Sequence, residues 1–328
     1  MHILITGAAG MIGRKLTDRL VIDRALGDHI IEKLTLIDIV QPARPAGFSD
    51  HVKTRAADLA GPGVAEKAIE ERPEVIFHLA GVVSGEAETD FEKGYHVNLD
   101  GTRALLEAIR AAGSGYKPKV IFTSSIAVFG APFPHAIPDD FHLTPLTSYG
   151  TQKAIGELLL ADYNRRGFLD GVGIRLPTIC VRPGKPNKAA SGFFSNIIRE
   201  PLAGEEAVLP VSDDVMHWHA SPKSAVGFLV HAGTMDLNAM GPRRNLSMPG
   251  LAATVGEQIA ALDRVAGKNV VARIKRVPDP TIIGIVSGWP RDFLTDRALK
   301  LGFSAAEQSF DDIIRIHIED ELGGRFVA

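Results

Sequence analysis

The chain has 328 residues, 45% of them hydrophobic and 23% charged, which is the composition of an ordinary globular protein. Its net charge of −3 argues against a nucleic-acid or membrane-surface partner, and its one cysteine, Cys180, excludes an intramolecular disulfide and a multi-cysteine zinc site. The first residues lack the features of a secretory signal, and no apolar run approaches the ~18 residues that span a bilayer, so we expect a cytoplasmic protein.

Short apolar runs alternate with amphipathic stretches through the first half of the chain. The apolar runs that predict strands are His2–Thr6, Leu34–Ile37, a weaker run at Val52–Ala57, Val75–Leu79, Val120–Ser124 and Val172–Leu176. The amphipathic stretches that predict helices are Ile12–Ile22, Gly63–Glu71, Leu99–Ala112 and Tyr149–Arg166. Because strands that are apolar on both faces are typical of parallel sheets covered by helices, we predict an α/β fold with a Rossmann-type doubly wound parallel sheet.

The pattern loosens after Leu176, where prolines and glycines break the chain into loops. We therefore predict a nucleotide-binding Rossmann domain over residues 1–176 and a smaller, mainly substrate-binding region over residues 177–328. Whether some later segments return to the first domain stays open at this point.

A glycine-rich turn, GAAGMIG at 7–13, follows the first predicted strand and precedes the first helix. Glycine permits a positive φ and close approach of the backbone to a pyrophosphate, whose charge the helix N-terminus stabilises. The spacing is GxxGxxG rather than GxGxxG, so a tight turn without a ligand is the alternative interpretation.

Acidic residues after the second and third predicted strands bear on the choice of cofactor. Asp38 lies 25 residues after Gly13, where a carboxylate accepts hydrogen bonds from an adenosine ribose and repels a 2′-phosphate. NAD is therefore favoured over NADP, the alternative being that Asp38 is only a solvated acid. Asp58 is either an adenine contact or a plain turn residue.

A tyrosine and a lysine four residues apart, Tyr149 and Lys153, share one face of the fourth predicted helix. Ser125, at the end of a predicted strand, lies 24 residues before Tyr149. A phenol ionises near pH ~10 in water, and a neighbouring ammonium and an oxidised nicotinamide would both lower the pKa of Tyr149. We predict Ser125, Tyr149 and Lys153 as catalytic residues; a surface tyrosine and lysine on an amphipathic helix are the alternative.

Six motifs occur in order over more than half the chain: GAAGMIG at 7–13, HLAG at 78–81, NLDGT at 98–102, TSSIAVFG at 123–130, YGTQK at 149–153 and RLPT at 175–178. With them the chain resembles the extended short-chain dehydrogenases/reductases, the group that holds NAD-dependent sugar-nucleotide epimerases and dehydratases. The resemblance implies that Ser125 orients the substrate oxygen, Tyr149 moves the proton and Lys153 also holds the nicotinamide ribose.

The resemblance and the glycine loop together define predicted binding sets. The cofactor set is Gly7, Gly10, Met11, Ile12, Gly13, Asp38, Asp58, Leu59, Leu79, Ala80, Gly81, Asn98, Thr123, Ser124, Tyr149, Lys153, Pro177 and Thr178. Within it, residues 79–81 would pass under the cofactor, Asn98 would steady the adjacent strands, and Pro177 and Thr178 would sit beside the nicotinamide. The predicted substrate set is Ser84, Ser125, Tyr149, Arg182, Ser191 and His219.

The reaction is not decided by the shared fold. Ile126 and Ala127 follow Ser125 where dehydratases of this group place an acidic pair, which disfavours dehydration. The segment MHWHASP at 216–222 lacks the arginine and the acidic pair with which epimerases of the group hold a nucleoside diphosphate.

The basic loop CVRPGKPNKAASGFF at 180–194 suits a small anionic substrate, with Arg182, Lys185 or Lys188 pairing with a carboxylate, although a solvated basic loop is as good an interpretation. His217 and His219 would either contact substrate or pack. No metal is expected, since no third ligand stands at a recognisable spacing.

Within the group, the segments VSGEAETDF, RLPTICVRPGKPNKAASGFF, HWHASP and GWPRDF resemble the D-erythronate dehydrogenases. The resemblance implies oxidation of the C2 hydroxyl of D-erythronate to 2-dehydro-D-erythronate, with hydride transfer to NAD. A UDP-sugar 4-epimerase and a non-catalytic NAD-binding sensor remain the alternatives. A homodimer through helices Leu99–Ala112 and Tyr149–Arg166 is expected from the resemblance.

Overall fold

A computed structural model describes residues 1–48, 51–113, 115–184 and 190–328. The strands are β1 (His2–Thr6), β2 (Ala25–Leu26), β3 (His29–Ile30), β4 (Lys33–Asp38), β5 (Val52–Ala56), β6 (Val75–His78), β7 (Lys119–Ser125), β8 (Asp170–Leu176), β9 (Thr178–Ile179), β10 (Ala207–Leu209), β11 (Met216–Ala220), β12 (Asn245–Ser247), β13 (Leu251–Thr254) and β14 (Ile274–Arg276). The α-helices are α1 (Met11–Asp23), α2 (Val64–Ile69), α3 (Ser84–Thr89), α4 (Phe91–Gly94), α5 (Gly101–Ala112), α6 (Ser148–Arg165), α7 (Gly192–Leu202), α8 (Pro222–Thr234), α9 (Val255–Ala266), α10 (Lys268–Val271), α11 (Pro280–Ser287), α12 (Asp296–Lys300) and α13 (Phe310–Leu322). A π-helix, Tyr95–Asp100, leads into α5, and short 3₁₀ turns occupy Ile126–Val128 and Leu237–Met240.

Seven strands form one parallel sheet in the order β12-β8-β7-β6-β1-β4-β5. The chain order reverses between β1 and β6, and ligands of doubly wound sheets bind at such a switch point, beyond the carboxyl ends of the strands. The predicted fold class is confirmed. Strands β1 and β6 are buried along their whole length, as their uninterrupted apolar sequences predict.

Alternate side chains of β1 supply the cores on the two faces of the sheet. Ile3 and Ile5 pack in one core with Leu16 of α1 and Phe228 of α8. Leu4 packs in the other core, whose members include Leu105 and Ile109 of α5 and Leu160 of α6. The period of two along the strand thus distributes its apolar residues between two helical layers.

Parts of the later chain rejoin the sheet. Strand β12 pairs in parallel with β8, and helix α8 packs against α1. A separate apolar core joins α7, α9 and α13, with β13-β11-β9 as a small mixed sheet beside it. The domain boundary at residue 176 stays a prediction. In the described ranges, no helix combines the length and the apolar character that crossing a membrane requires.

Candidate active site

A cavity of about 770 Å³ opens at the carboxyl ends of the central strands, at the switch point between β1 and β6. Its walls come from the loop between β1 and α1, the loop after β6, the end of β7, the start of α6, the segment after β8 and the segment 284–290. Because these segments are far apart in sequence, only the parallel sheet brings them to one edge.

The glycine turn at 7–13 forms one wall and leaves no room for side chains. Gly7 has a φ of +75°, and a Cβ there would lie 2.6 Å from the backbone nitrogen of Ala80. A Cβ on Gly13 would lie 2.2 Å from the carbonyl oxygen of Gly7. Helix α1 begins directly after Gly10, which has no capping side chain, so its first N–H groups can bind an anion. The residues therefore fit the pyrophosphate of a dinucleotide, and Met11 and Ile12 of the predicted cofactor set line the cavity.

The carboxylate of Asp38 lies beside this turn. Its Oδ2 accepts the N–H of Ala9 at 2.9 Å, and its Oδ1 accepts the N–H of Val40 at 3.2 Å. Asp58 instead accepts the N–H of Ala60 at 3.0 Å and contacts Nε2 of His96 at 2.8 Å. Asp38 and Asp58 both lie beyond the cavity wall, as does Leu59, which is buried.

The segment after β6 crosses the cavity between the glycine turn and α6. Leu79 and Gly81 line the cavity, whereas Ala80 contacts the glycine turn through its backbone. Asn98 is buried behind them, where its Oδ1 accepts the N–H of Val82 at 2.8 Å and its Nδ2 donates to Gln152 at 2.8 Å. Asn98 therefore holds the segment against α6 rather than lining the cavity.

The predicted catalytic residues Ser125, Tyr149 and Lys153 all line the cavity. Lys153 Nζ donates to the carbonyl oxygen of Thr123 at 2.9 Å and lies 5.8 Å from the centre of the Tyr149 ring. Burial lowers the pKa of Lys153 to about 8. Ser125 Oγ accepts the N–H of Ala127 at 3.1 Å, which leaves the hydroxyl hydrogen available for a ligand or for Tyr149.

Burial raises the pKa of Tyr149, while a hydrogen bond with Ser125 and the charge of Arg182 act in the opposite direction. The net shift is upward because desolvation of the phenolate outweighs the nearby charges, and the lowering expected from Lys153 together with an oxidised nicotinamide stays a prediction. The sequence could not show either the burial or the proximity of Arg182, which lies 33 residues further along the chain.

The hydroxyls beside Ser125 have structural partners. Thr123 Oγ1 donates to the carbonyl oxygen of His78 at 3.1 Å. Ser124 Oγ donates to Glu157 at 2.5 Å, and Glu157 also pairs with Arg175 at 2.8 Å in a buried ion pair. Thr123 and Ser124 both line the cavity, as do Pro177 and Thr178. Most of the predicted cofactor set is therefore brought together around it.

Arg182 is a cation on the cavity wall, and within the described ranges no carboxylate lies within 4 Å of it. Its Nε donates to the carbonyl oxygen of Ile179 at 3.0 Å and its Nη2 to Ser191 Oγ at 2.8 Å. Ser84 and Ser191 also line the cavity. Lys185 and Lys188, the other predicted cations of this loop, lie outside the described residues.

The two histidines of β11 differ in position. His217 lines the cavity and His219 does not. His219 is fully buried deeper in the protein, where its Nε2 accepts from the amide of Gln258 at 3.0 Å and its ring meets Phe310 edge-on. The geometry does not bring His219 to the substrate side, because the cavity ends at His217.

Among the lining residues that were not singled out from the sequence are Arg199, Trp289 and Pro290. Arg199 of α7 lines the cavity and pairs with Glu200 at 2.5 Å. Trp289 and Pro290 enter from a distant segment. The GWPRDF motif, part of the resemblance, was the available signal for the last two. Over the residues that the structure describes, no group of three or more potential metal ligands comes together.

Comparison with known proteins adds the family to this geometry. Residues 3–219 match the model of the NAD dependent epimerase/dehydratase family. The chain belongs to this family. Two relatives of this chain are named D-erythronate dehydrogenase, which confirms the resemblance inferred from the motifs. One, from Cupriavidus necator, is 47% identical over 98% of both chains. The other, from Haemophilus influenzae, is 40% identical over 98% of this chain and 100% of its own.

A solved structure carries a different name. The crystal structure of a nucleoside-diphosphate-sugar epimerase from Agrobacterium tumefaciens has a TM-score of 0.96 and 67% identity, covering 99% of this chain and 95% of that one. The similar proteins therefore include both dehydrogenases and an epimerase.

Proposed function

We propose that the protein oxidises the C2 hydroxyl of D-erythronate to 2-dehydro-D-erythronate with NAD. The observation that supports this best is Arg182, a cation that has no acidic partner among the described residues and faces the same cavity as Ser125 and Tyr149. A guanidinium in that state is suited to a carboxylate, and Arg182 lies close enough to Tyr149 to influence its pKa. A small hydroxy acid can engage both.

Each of the cavity residues has one role in the proposed reaction. Arg182 and Ser191 bind the carboxylate, Ser125 orients the C2 hydroxyl, and Tyr149 takes its proton. The ammonium of Lys153 provides a positive charge behind the phenol, held there by the carbonyl of Thr123. Bound NAD supplies the hydride acceptor. The glycine turn and the segment 79–81 would hold the dinucleotide, so that the substrate carbon is placed for transfer.

The position of Asp38 supports NAD rather than NADP. Its carboxylate is fixed by two backbone N–H groups beside the glycine turn. A negative charge at the end of this strand accepts ribose hydroxyls and repels a 2′-phosphate.

The enzymatic alternative is a sugar-nucleotide epimerase, favoured by the 67% identity to the nucleoside-diphosphate-sugar epimerase from Agrobacterium tumefaciens. The charges of the cavity oppose it. Of the arginines that line the cavity in the described ranges, Arg199 is compensated by Glu200 and Arg182 is not, whereas a nucleoside diphosphate carries at least two negative charges. A non-catalytic sensor, the remaining alternative, would not need Ser125, Tyr149 and Lys153 in one cavity.

Incubation of the purified protein with NAD, a panel of four- to six-carbon sugar acids and UDP-sugars distinguishes the three functions. Absorbance measures NADH, and chromatography measures the sugars. Net NADH from D-erythronate supports the proposal. An epimerised UDP-sugar without net NADH supports the epimerase, and the absence of any reaction supports the sensor.

The homodimer and the cytoplasmic location also remain proposals. Leu158 on α6 is 64% exposed, and α6 is joined to α5 by a hydrogen bond from Tyr163 to Glu107. An exposed leucine on one of the two expected interface helices is compatible with a dimer through α5 and α6.

A further inference from the structure

His217 joins two walls of the cavity. Its Nδ1 lies 2.7 Å from the carbonyl oxygen of Pro290, and its Nε2 lies 2.7 Å from Oγ1 of Thr178. The imidazole stacks on Phe194 with ring centres 5.3 Å apart and an interplanar angle of 6°. The ring is only 3% exposed, so its orientation is fixed from three sides.

These partners determine where the hydrogen atoms lie. A carbonyl oxygen only accepts, so Nδ1 of His217 carries the hydrogen and donates it to Pro290. Burial lowers the pKa of His217 to about 4, so the ring is neutral near pH 7 and Nε2 is an acceptor. Thr178 must then donate its one hydroxyl hydrogen to Nε2. The oxygen of Thr178 keeps its lone pairs but has no hydrogen left for any other partner.

Thr178 stands next to the site assigned to the carboxylate. It lines the cavity, and the guanidinium of Arg182 donates to the carbonyl oxygen of the adjacent Ile179. A fixed cation and a fixed hydrogen-bond acceptor therefore lie along one short segment. A ligand that uses both must carry an anionic group and a hydroxyl a few bonds apart.

We propose that Thr178, fixed by His217 as a pure acceptor, is a specificity-determining residue that binds a hydroxyl of the substrate other than the one oxidised. The inference rests on the proposed function, since it assigns Arg182 to the carboxylate and Ser125 with Tyr149 to the C2 hydroxyl. The substrate would then be held at three points, which selects polyhydroxy acids over simple 2-hydroxy acids. His217 is a positioning residue in this arrangement, because it acts through Thr178.

The test compares D-erythronate with its 3-deoxy and 4-deoxy analogues of the same C2 configuration, in the wild type and in Thr178→Val. In the wild type, kcat/KM should be about 10- to 100-fold higher for D-erythronate than for one of the two analogues, since that analogue leaves the acceptor without a partner. In Thr178→Val this ratio should fall to near one, while Thr178→Ser, which keeps the hydroxyl, should retain most of it.

His217→Phe keeps the ring that stacks on Phe194 but frees the Thr178 hydroxyl to rotate, so it should reduce the ratio as well. His231→Phe is the matched control. His231 also contacts a carbonyl oxygen, that of Leu301 at 2.8 Å, but it lies on α8 outside the cavity lining. This control should keep the wild-type ratio. Circular dichroism reports on the folding of every variant, and NADH binding, followed by fluorescence, is measured separately because Thr178 belongs to the predicted cofactor set.

The inference is overturned if the wild type does not discriminate against either analogue, or if Thr178→Val keeps the wild-type ratio. Weaker NADH binding with an unchanged ratio would instead assign Thr178 to the cofactor and also overturn it. Failure of the proposed function has a different signature, namely no NADH from D-erythronate with the wild type, and the inference then fails with it.

Discussion

Acidification from pH 7.5 to pH 5 should destabilise the folded protein by about 2 kcal/mol for each buried histidine whose pKa burial lowers, among them His78 and His217. His78 is 2% exposed between the hydroxyls of Thr6 and Thr102, at 2.7 and 2.9 Å, and burial lowers its pKa from 6.5 to about 3. Burial likewise lowers the pKa of His217 to about 4.

The direction of this pH dependence is set by which state, folded or unfolded, binds more protons. Between pH 6.5 and the folded-state pKa, each of these histidines is protonated in the unfolded chain but stays neutral in the folded protein. Lower pH therefore favours unfolding, and the stability present above pH 6.5 is lost progressively below it. At pH 5 the loss is about 2 kcal/mol for each histidine.

Urea unfolding at the two pH values, followed by tryptophan fluorescence, measures this loss. His78→Gln should reduce the pH-dependent loss by about 2 kcal/mol relative to the wild type, whatever its effect at pH 7.5. The same substitution at the exposed His135 is the control and should leave the loss unchanged. An equal loss in wild type and His78→Gln would refute the assignment of a neutral, buried His78.

Two further predictions concern the active site. Because burial raises the pKa of Tyr149 and lowers the pKa of Lys153 to about 8, kcat/KM for oxidation should rise with pH between 6 and 8, by up to about tenfold per unit; a flat profile in steady-state assays would argue against Tyr149 as the base. Gly13→Ala should weaken NADH binding by more than about tenfold in a fluorescence titration, because its Cβ would lie 2.2 Å from the Gly7 oxygen. Gly227→Ala on α8, where a Cβ would have no neighbouring atom within 4 Å, should leave NADH binding intact. Equal NADH binding by the two variants would contradict the assignment of the glycine turn to the pyrophosphate.

The central sheet could be predicted from the sequence because its strands are apolar on both faces. The predicted run at 172–176 became β8, Asp170–Leu176, and even the weaker run at 52–57 became β5, Val52–Ala56. The short late strand β12 was not predicted, since its three residues, Asn245–Ser247, carry no periodic signal and their burial comes from pairing with β8.

The pairing of Tyr149 with Lys153 could also be predicted from the sequence, because the two residues lie one helical turn apart. The contacts of His217 were not accessible, because its partners Thr178 and Pro290 are 39 and 73 residues away and meet it only through tertiary packing. Residues two apart on a strand share a face, so His219 was as plausible a substrate contact as His217. The structure distinguishes them because His217 lines the cavity and His219 lies deeper in the protein. The pKa direction of Tyr149 likewise depends on burial that no local pattern shows.

The single substitution Tyr149→Phe, assayed for NADH formation from D-erythronate, decides whether Tyr149 takes the proton. The variant keeps the ring and loses only the phenolic oxygen that takes the proton. We predict that kcat falls by about 100- to 10,000-fold while the dissociation constant for NADH stays near the wild-type value. A variant that retains about a tenth or more of the wild-type rate would contradict the role of Tyr149 and the proposed mechanism with it.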